Sequence, residues 1–156
     1  MSRPLRCCSA LSAVALSAIL AGPIASAQAS DASIVATINT YAPRLLQDES
    51  VALNAEANYS PTKPTPLLKA LTKTVKDFDK LAGKLKHETA TTARDAKGKN
   101  DVLAGSELIA TSYRDLVREI KDANASTPVP LTQVAHAVSL AEKGSKKLDR
   151  GLALLS

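Results

Sequence analysis

Apolar residues in this chain recur at spacings of three and four over long stretches, which is the period of an amphipathic α-helix. The repeat is clearest near the C-terminus, where it continues from Leu131 to Leu155. Two proline-containing stretches, 60–66 and 124–130, interrupt it, because proline inside a helix removes a hydrogen bond and clashes with the preceding turn. Almost no segment alternates as a strand would, so the sequence predicts an all-α protein.

The breaks divide the chain into helical segments, which we predict over 32–58, 66–97, 101–123 and 128–155. Short connectors between long helices place neighbours antiparallel, so we predict an up-down-up-down four-helix bundle. Pro43 lies inside the first segment and predicts either a kink or a helix that starts afresh there. Thr65 is predicted to cap the second helix, with Pro66 at its first position.

The phase of each apolar stripe predicts the core. In the second helix the stripe is Leu68, Leu71, Val75, Phe78, Ala82 and Leu85. In the third it is Val102, Ser106, Ile109, Tyr113, Leu116 and Ile120. In the fourth it is Leu131, Val134, Val138, Ala141, Ser145, Leu148, Leu152 and Leu155. The first helix is less regular, with Ile38 and Leu45 as its central apolar positions.

The break between the second and third segments is the weakest. Residues 97–101 (KGKND) offer a glycine to end one helix and an Asn or Asp to cap the next. The apolar stripes on either side do not join in phase, so we predict a turn near 97–101. Two alternatives remain open: a turn among Thr89, Thr91 and Thr92, or one continuous helix over 66–123 in a three-helix arrangement.

Glycines recur at heptad spacing. Gly144 and Gly151 lie on one face of the fourth helix, whereas Gly98 and Gly105 share a face only if no turn separates them. Such residues let two backbones approach closely, and we interpret them as helix-packing positions. A docking groove for a partner helix is the alternative.

The N-terminus has the pattern of a secretory signal peptide. A short basic start precedes an uncharged apolar run over 11–21, and Ala25 and Ala27 are the small residues that a signal peptidase reads. We predict cleavage between Ala27 and Gln28, or after Ala29. The run is about half the roughly 20 residues that a membrane-spanning helix needs, which disfavours an uncleaved anchor. The protein is therefore predicted to be secreted or periplasmic.

Removal of residues 1–27 changes what the remaining chain can do. Both cysteines and the only methionine lie in that segment, so the single helical domain over 28–156 has no disulfide, redox thiol or soft-metal ligand. Arg3 and Arg6 also leave with it, which reduces the formal net charge from +5 to +3. So small an excess does not indicate a specific nucleic-acid-binding protein.

Catalytic and cofactor motifs are lacking. The two histidines, His87 and His136, occupy positions that face away from the predicted core, and neither Glu-x-x-His nor His-x-x-x-His occurs. No Gly-x-Ser-x-Gly elbow or glycine-rich phosphate loop is present. We therefore predict a protein that is not an enzyme and that has no metal ligands and no cofactor.

The second helix carries a row of lysines opposite its predicted core face: Lys69, Lys73, Lys76, Lys80 and Lys84. The row is either a solvated helix face or a surface for an anionic polymer or membrane. We predict an exported, non-catalytic bundle that acts by surface binding or in a structural role. The alternatives are polyanion or membrane-surface binding through this row, and binding of a small apolar molecule inside the bundle. Self-association is a further prediction, because a core poor in aromatics is small and a second copy would cover more apolar surface.

Overall fold

A computed structural model describes residues 31–60, 62–123 and 129–156. It contains the helices α1 (Ala32–Ala57), α2 (Thr65–His87), α3 (Ala93–Asp122) and α4 (Leu131–Leu155). They form an up-down-up-down bundle in which the main contacts join consecutive helices, which confirms the predicted fold class.

The predicted signal peptide, with Ala25, Ala27 and Gln28 at its cleavage site, lies outside the described residues. Among the helices that are described, none combines the length and the apolar character that crossing a bilayer requires.

The turn between α2 and α3 lies at 88–92, so the predicted turn near 97–101 is wrong, as are the helix ends placed there. The turn among the threonines, the alternative, is the one that forms. Thr92 caps α3: its Oγ1 accepts a hydrogen bond from the Asp95 amide at 3.0 Å and donates to Asp95 Oδ2 at 2.7 Å. One helix over 66–123 is also wrong, because the chain leaves the helical conformation at this turn.

α3 continues through Gly98 without a break. Its buried stripe has a different phase from the predicted one. Counting back from Val102, the stripe passes through Gly98 and then Asp95, all of them buried. The buried Asp95 carboxylate is held by the hydroxyl of Thr92. Asp95, the charged residue on this stripe, is therefore part of the helix cap.

Helix starts and prolines differ in detail from the prediction. Thr65 is the first residue of α2 and not its cap; Pro64 precedes it, and no side chain caps this end. Pro66 lies in the first turn, where its missing N–H leaves no hydrogen bond unmade. α1 is one helix with Pro43 inside it, and the Asp31 side chain accepts from the Ser33 amide at its start.

The closest approach of two helices joins α3 to α4. A Cβ added to Gly105 would lie 2.7 Å from the Gly144 carbonyl oxygen, and one added to Gly151 would lie 2.7 Å from the Gly98 carbonyl oxygen. The four glycines thus form two antiparallel pairs in which backbone meets backbone. The helix-packing interpretation is confirmed, and Gly98 and Gly105 share a face because no turn separates them.

One more small pair continues this contact. The Ser112 hydroxyl, seven residues beyond Gly105, donates to the Ala137 carbonyl oxygen at 2.7 Å. Ser112 and Ala137 are both fully buried. Small residues therefore meet at three successive heptad positions, and we call these three pairs the α3–α4 seam.

The observed core matches the predicted stripes best in α3, where all six predicted positions are buried. In α4 the stripe is shifted, because the buried line runs through Ala137, Gly144 and Gly151. Val138 and Leu152 are only partly buried as a result, and Leu131, the first residue of α4, is 63% exposed. In α2, Leu68 is likewise only partly buried, and the core includes Leu67 and Leu81, which the predicted stripe omits.

Candidate anion-binding surfaces

The lysine row predicted from the sequence forms an exposed surface, which we call the α2 lysine face: Lys69, Lys73, Lys76, Lys80 and Lys84. It points outward because the core side of the same helix is fixed by fully buried apolar residues such as Phe78 and Leu85. At about 100° per residue, the lysines fall on the side opposite these core residues. Between Lys69 and Lys84 this outward side presents no apolar side chain.

Two of the five lysines are engaged by buried aspartates. Lys73 donates to Asp48 of α1, and its Nζ lies 3.6 Å from Asp77 Oδ2. Lys80 Nζ lies 2.8 Å from Asp77 Oδ1. Asp48 is 2% exposed and Asp77 is 6% exposed, so both carboxylates lie beneath the lysines at the α1–α2 interface. These pairs reduce the charge that the face offers to a partner.

The two aspartates also bind each other, and their pKa values move apart. Burial raises the pKa of Asp48, and its contact with Asp77 raises it further, against the opposing effect of Lys73. Burial also opposes ionisation of Asp77, yet hydrogen bonds with Lys80 and Asp48 and the nearby positive charges lower its pKa overall. Asp77 is thus the more readily ionised member of this pair.

The other three lysines of the face, Lys69, Lys76 and Lys84, are exposed and make no ion pair with any residue in the described part of the chain. They are spread over 15 residues, or about 22 Å at 1.5 Å per residue. Their charge is available to an external anion.

α4 carries a second lysine surface, which the sequence analysis did not identify. The α4 lysine face consists of Lys143, Lys146 and Lys147, which make no ion pair with a described residue. Arg150 lies next to it and binds Asp101 of α3 through two hydrogen bonds of 2.6 and 2.7 Å. The available signal was the run KGSKK over 143–147: Lys143 and Lys146 are exposed on the side away from the core, and the half-buried Lys147 lies at the edge of that side.

Asp101 is the acidic residue beside the α4 lysine face. The two hydrogen bonds from Arg150 lower its pKa, and the nearby charges of Lys147 and Lys97 lower it further. The carboxylate therefore stays ionised and fixes the Arg150 guanidinium. Lys147 and Lys97 remain without an ion pair of their own among the described residues.

Formal charge is unevenly divided among the helices. α2 has six lysines against two aspartates, a net +4, and α4 has four basic against two acidic residues, a net +2. α3 has six of each sign, and α1 has one arginine against three acidic residues, a net −2. All the excess positive charge of the helices therefore lies on α2 and α4.

α1 contributes a further buried acid. Glu49 is 7% exposed, and its Oε1 has no hydrogen-bond partner among the described residues. Burial raises its pKa to about 7. It lies near Tyr113 of α3, whose own pKa is raised by burial and by the charges of Glu49 and Glu56. Ionisation of the Glu49 carboxyl group, which lies near α3, is therefore unfavourable in the folded protein.

His87 and His136 are both exposed, as their predicted outward positions require. Within 31–60, 62–123 and 129–156, no group of three or more His, Cys, Asp or Glu side chains is arranged to hold a metal ion.

A cleft of about 380 Å³ opens between α2 and α3. Two ion pairs flank it: Lys86 with Glu107, at 2.8 Å, and Asp79 with Arg114. Gly83 lies in its lining, and a Cβ added there would meet nothing within 4 Å. A mostly charged lining differs from the apolar lining typical of a pocket for small apolar molecules.

Gly83→Ala is expected to raise the free energy of unfolding by about 0.5–1 kcal/mol, because glycine inside a helix is less favourable than alanine and the new methyl has open space. Urea denaturation at neutral pH measures the change. A loss of stability would show that the space above Gly83 is filled in solution.

Comparison with known proteins identifies no relative: no family model, curated protein or solved structure matches the chain. The fold and its charged surfaces define the molecule as a four-helix bundle with lysine faces on α2 and α4. Any functional proposal therefore depends on the geometry of those surfaces.

Proposed function

We propose that this protein is an exported, non-catalytic helical bundle that binds an anionic polymer through the α2 lysine face. The observation that carries the proposal is the row of three exposed lysines, Lys69, Lys76 and Lys84, without ion pairs to described residues on the most basic helix. The nearby aspartates, Asp48 and Asp77, are buried and already bound to Lys73 and Lys80, so the outward charge is of one sign.

The shape of the face supports a linear partner. A helix displays its outward lysines in a line about 22 Å long, which matches a chain of closely spaced phosphate or sulfate groups. Lysine acts as a flexible point charge, whereas arginine provides planar two-point recognition of a single group. A row of lysines without arginine therefore supports recognition of charge density more than of a defined small anion.

An anionic membrane is less well supported than a polymer. Proteins that lie on bilayers usually combine basic residues with apolar side chains that enter the interface. The outward side of α2 has no such side chain between Lys69 and Lys84. The polymer is therefore the partner that we propose.

Binding of long-chain polyphosphate, measured by isothermal titration or by retention on heparin, tests the proposal. With three lysine–anion contacts, the logarithm of the binding constant should fall with the logarithm of salt with a slope of about −2. The affinity should then drop about 15-fold between roughly 50 and 200 mM salt.

The variant Lys69→Gln/Lys76→Gln/Lys84→Gln is expected to bind about 100-fold more weakly near 50 mM salt, since each lysine contributes about 1 kcal/mol to binding an anionic surface. The matched variant with arginine at the same three positions keeps the charge and should stay within about threefold of the wild type. Absence of salt-dependent binding by the wild type would overturn the proposal. Binding to anionic vesicles but not to polyphosphate would replace the polymer with a membrane.

A further inference from the structure

We propose that the bundle has two polyanion-binding surfaces on different sides, the α2 lysine face and the α4 lysine face, so that one molecule bridges two anionic chains. The inference rests on the proposed function and extends it from binding to cross-linking. It is carried by the positions of α2 and α4 around α3 and by the charge that each presents outward.

α2 and α4 both pack against α3, and the main contacts of the bundle join consecutive helices, so α2 and α4 are not packing neighbours. The α3 residues that pair with α2 are Glu107 and Arg114, through Lys86 and Asp79. The α3 residue Gly105 meets α4. Glu107 and Arg114 are exposed, so their ion pairs lie at the outer edge of the α2–α3 contact, on a different side of α3 from Gly105.

Both lysine faces point mainly away from α3. On α4, Gly144 and Leu148 are buried against α3, Lys143 and Lys146 are exposed on the outward part of the helix, and the half-buried Lys147 lies at its edge. On α2 the lysines lie opposite Phe78 and the rest of the core stripe. An anionic chain bound to one face therefore cannot reach the other without passing around the bundle.

The two lysine faces are far enough apart for an anionic chain on each to bind with little mutual repulsion. Packed helices have axes about 8–10 Å apart, and the axes of α2 and α4, which are not packing neighbours, lie farther apart than this. The outward lysine side chains increase the distance between bound anions further. Since the Debye length at physiological salt is about 8 Å, repulsion between two bound polyanions is largely screened.

The two faces offer equal numbers of available charges. Each has three lysines without an ion pair to a described residue: Lys69, Lys76 and Lys84 on α2, and Lys143, Lys146 and Lys147 on α4. α1 and α3 have no positive excess that would join the two faces into one continuous surface. The charge pattern therefore corresponds to two separate sites.

Static light scattering with long-chain polyphosphate near 50 mM salt tests the bridging. The wild type should give a scattering intensity at least tenfold above that of protein and polymer alone, with a maximum near charge balance. The variants Lys69→Gln/Lys76→Gln/Lys84→Gln and Lys143→Gln/Lys146→Gln/Lys147→Gln should each lose that increase, while the second of them keeps binding polyphosphate through α2.

The control variant Arg44→Gln/Lys63→Gln/Lys121→Gln removes the same charge from exposed positions outside both faces and should scatter within about twofold of the wild type. Binding by the wild type without increased scattering would overturn bridging and leave the proposed function intact. If the α4 variant scatters as strongly as the wild type, bridging by a single molecule through both faces is overturned. Two copies that bridge through their α2 lysine faces would give that result. Absence of polyphosphate binding by the wild type would overturn both proposals.

Discussion

Gly105→Ala is expected to lower the free energy of unfolding by about 1–3 kcal/mol. The added methyl would lie 2.7 Å from the Gly144 carbonyl oxygen and 2.9 Å from the Leu148 backbone nitrogen. Neither backbone atom can move without separating α3 from α4, and overpacking of this kind typically costs about 1–3 kcal/mol. That cost exceeds the roughly 0.5–1 kcal/mol by which alanine favours a helix over glycine. Urea denaturation followed by circular dichroism measures the difference.

The matched control is Gly83→Ala, which makes the same chemical change in a helix where the methyl meets nothing within 4 Å, and which should stabilise. A second test uses the partner glycine. Gly144→Ala alone should also destabilise, because its Cβ would lie 2.9 Å from the Gly105 carbonyl oxygen. The double variant should lose less than the sum of the two single losses, since helices already separated by one methyl accommodate the other. Unchanged stability in both single variants would show that the helices are not in backbone contact.

Glu49→Gln is expected to stabilise the protein above neutral pH and to leave it almost unchanged at pH 4. The Glu49 side chain is buried, with a pKa of about 7 in the folded protein against an ordinary value of 4.5. At pH 8 the wild type must keep a carboxylate buried, and glutamine, which has the same shape, removes that charge. We expect a gain of about 1–3 kcal/mol at pH 8.

The sign follows from proton binding. Between pH 4.5 and 7 the folded state holds the proton of Glu49 while the unfolded state has lost it, so stability falls as the pH rises. The contribution is fully present below 4.5 and lost above 7. The gain of Glu49→Gln over the wild type should therefore grow across this interval and then level off.

Chemical denaturation at half-unit steps from pH 4 to pH 8 measures the gain. Glu142→Gln is the control, because Glu142 is exposed and has no ion pair with a described residue; its effect should stay within about 0.5 kcal/mol at every pH. A gain from Glu49→Gln that does not vary with pH would show that the Glu49 carboxyl is hydrated in solution.

The helical period and the prolines were sufficient to predict the number and order of the helices, and their approximate ends except between α2 and α3, because these depend on local patterns. The turn between α2 and α3 was misplaced because two local signals competed. Gly98 resembles a helix end, whereas Thr92 and Asp95 form a cap whose strength depends on burial of the Asp95 side chain. Gly98 and Gly105 were expected to share a face only if no turn separated them, and their role became clear only once Gly144 and Gly151 were placed opposite them.

The lysine row on α2 was predictable because its residues lie on one helix. The ion pair that occupies Lys73 was not predictable, because Asp48 comes from another helix and reaches Lys73 only in the packed bundle. The α4 lysine face was missed for a related reason. Its meaning depends on where α4 lies relative to α2, and that relation follows from tertiary contacts that no local pattern contains.

The α3–α4 seam also determines the register in which α3 and α4 pack against each other. In every pair of the seam the two residue numbers have the same sum, so a slide by a single residue would press a side chain such as Leu148 against a backbone that has room only for hydrogen. The hairpin can therefore close in one register only. The three pairs join residues 25, 39 and 53 positions apart on two consecutive helices. Alignment of α3 and α4 is thus a property of the hairpin itself, on which α1 and α2 can assemble.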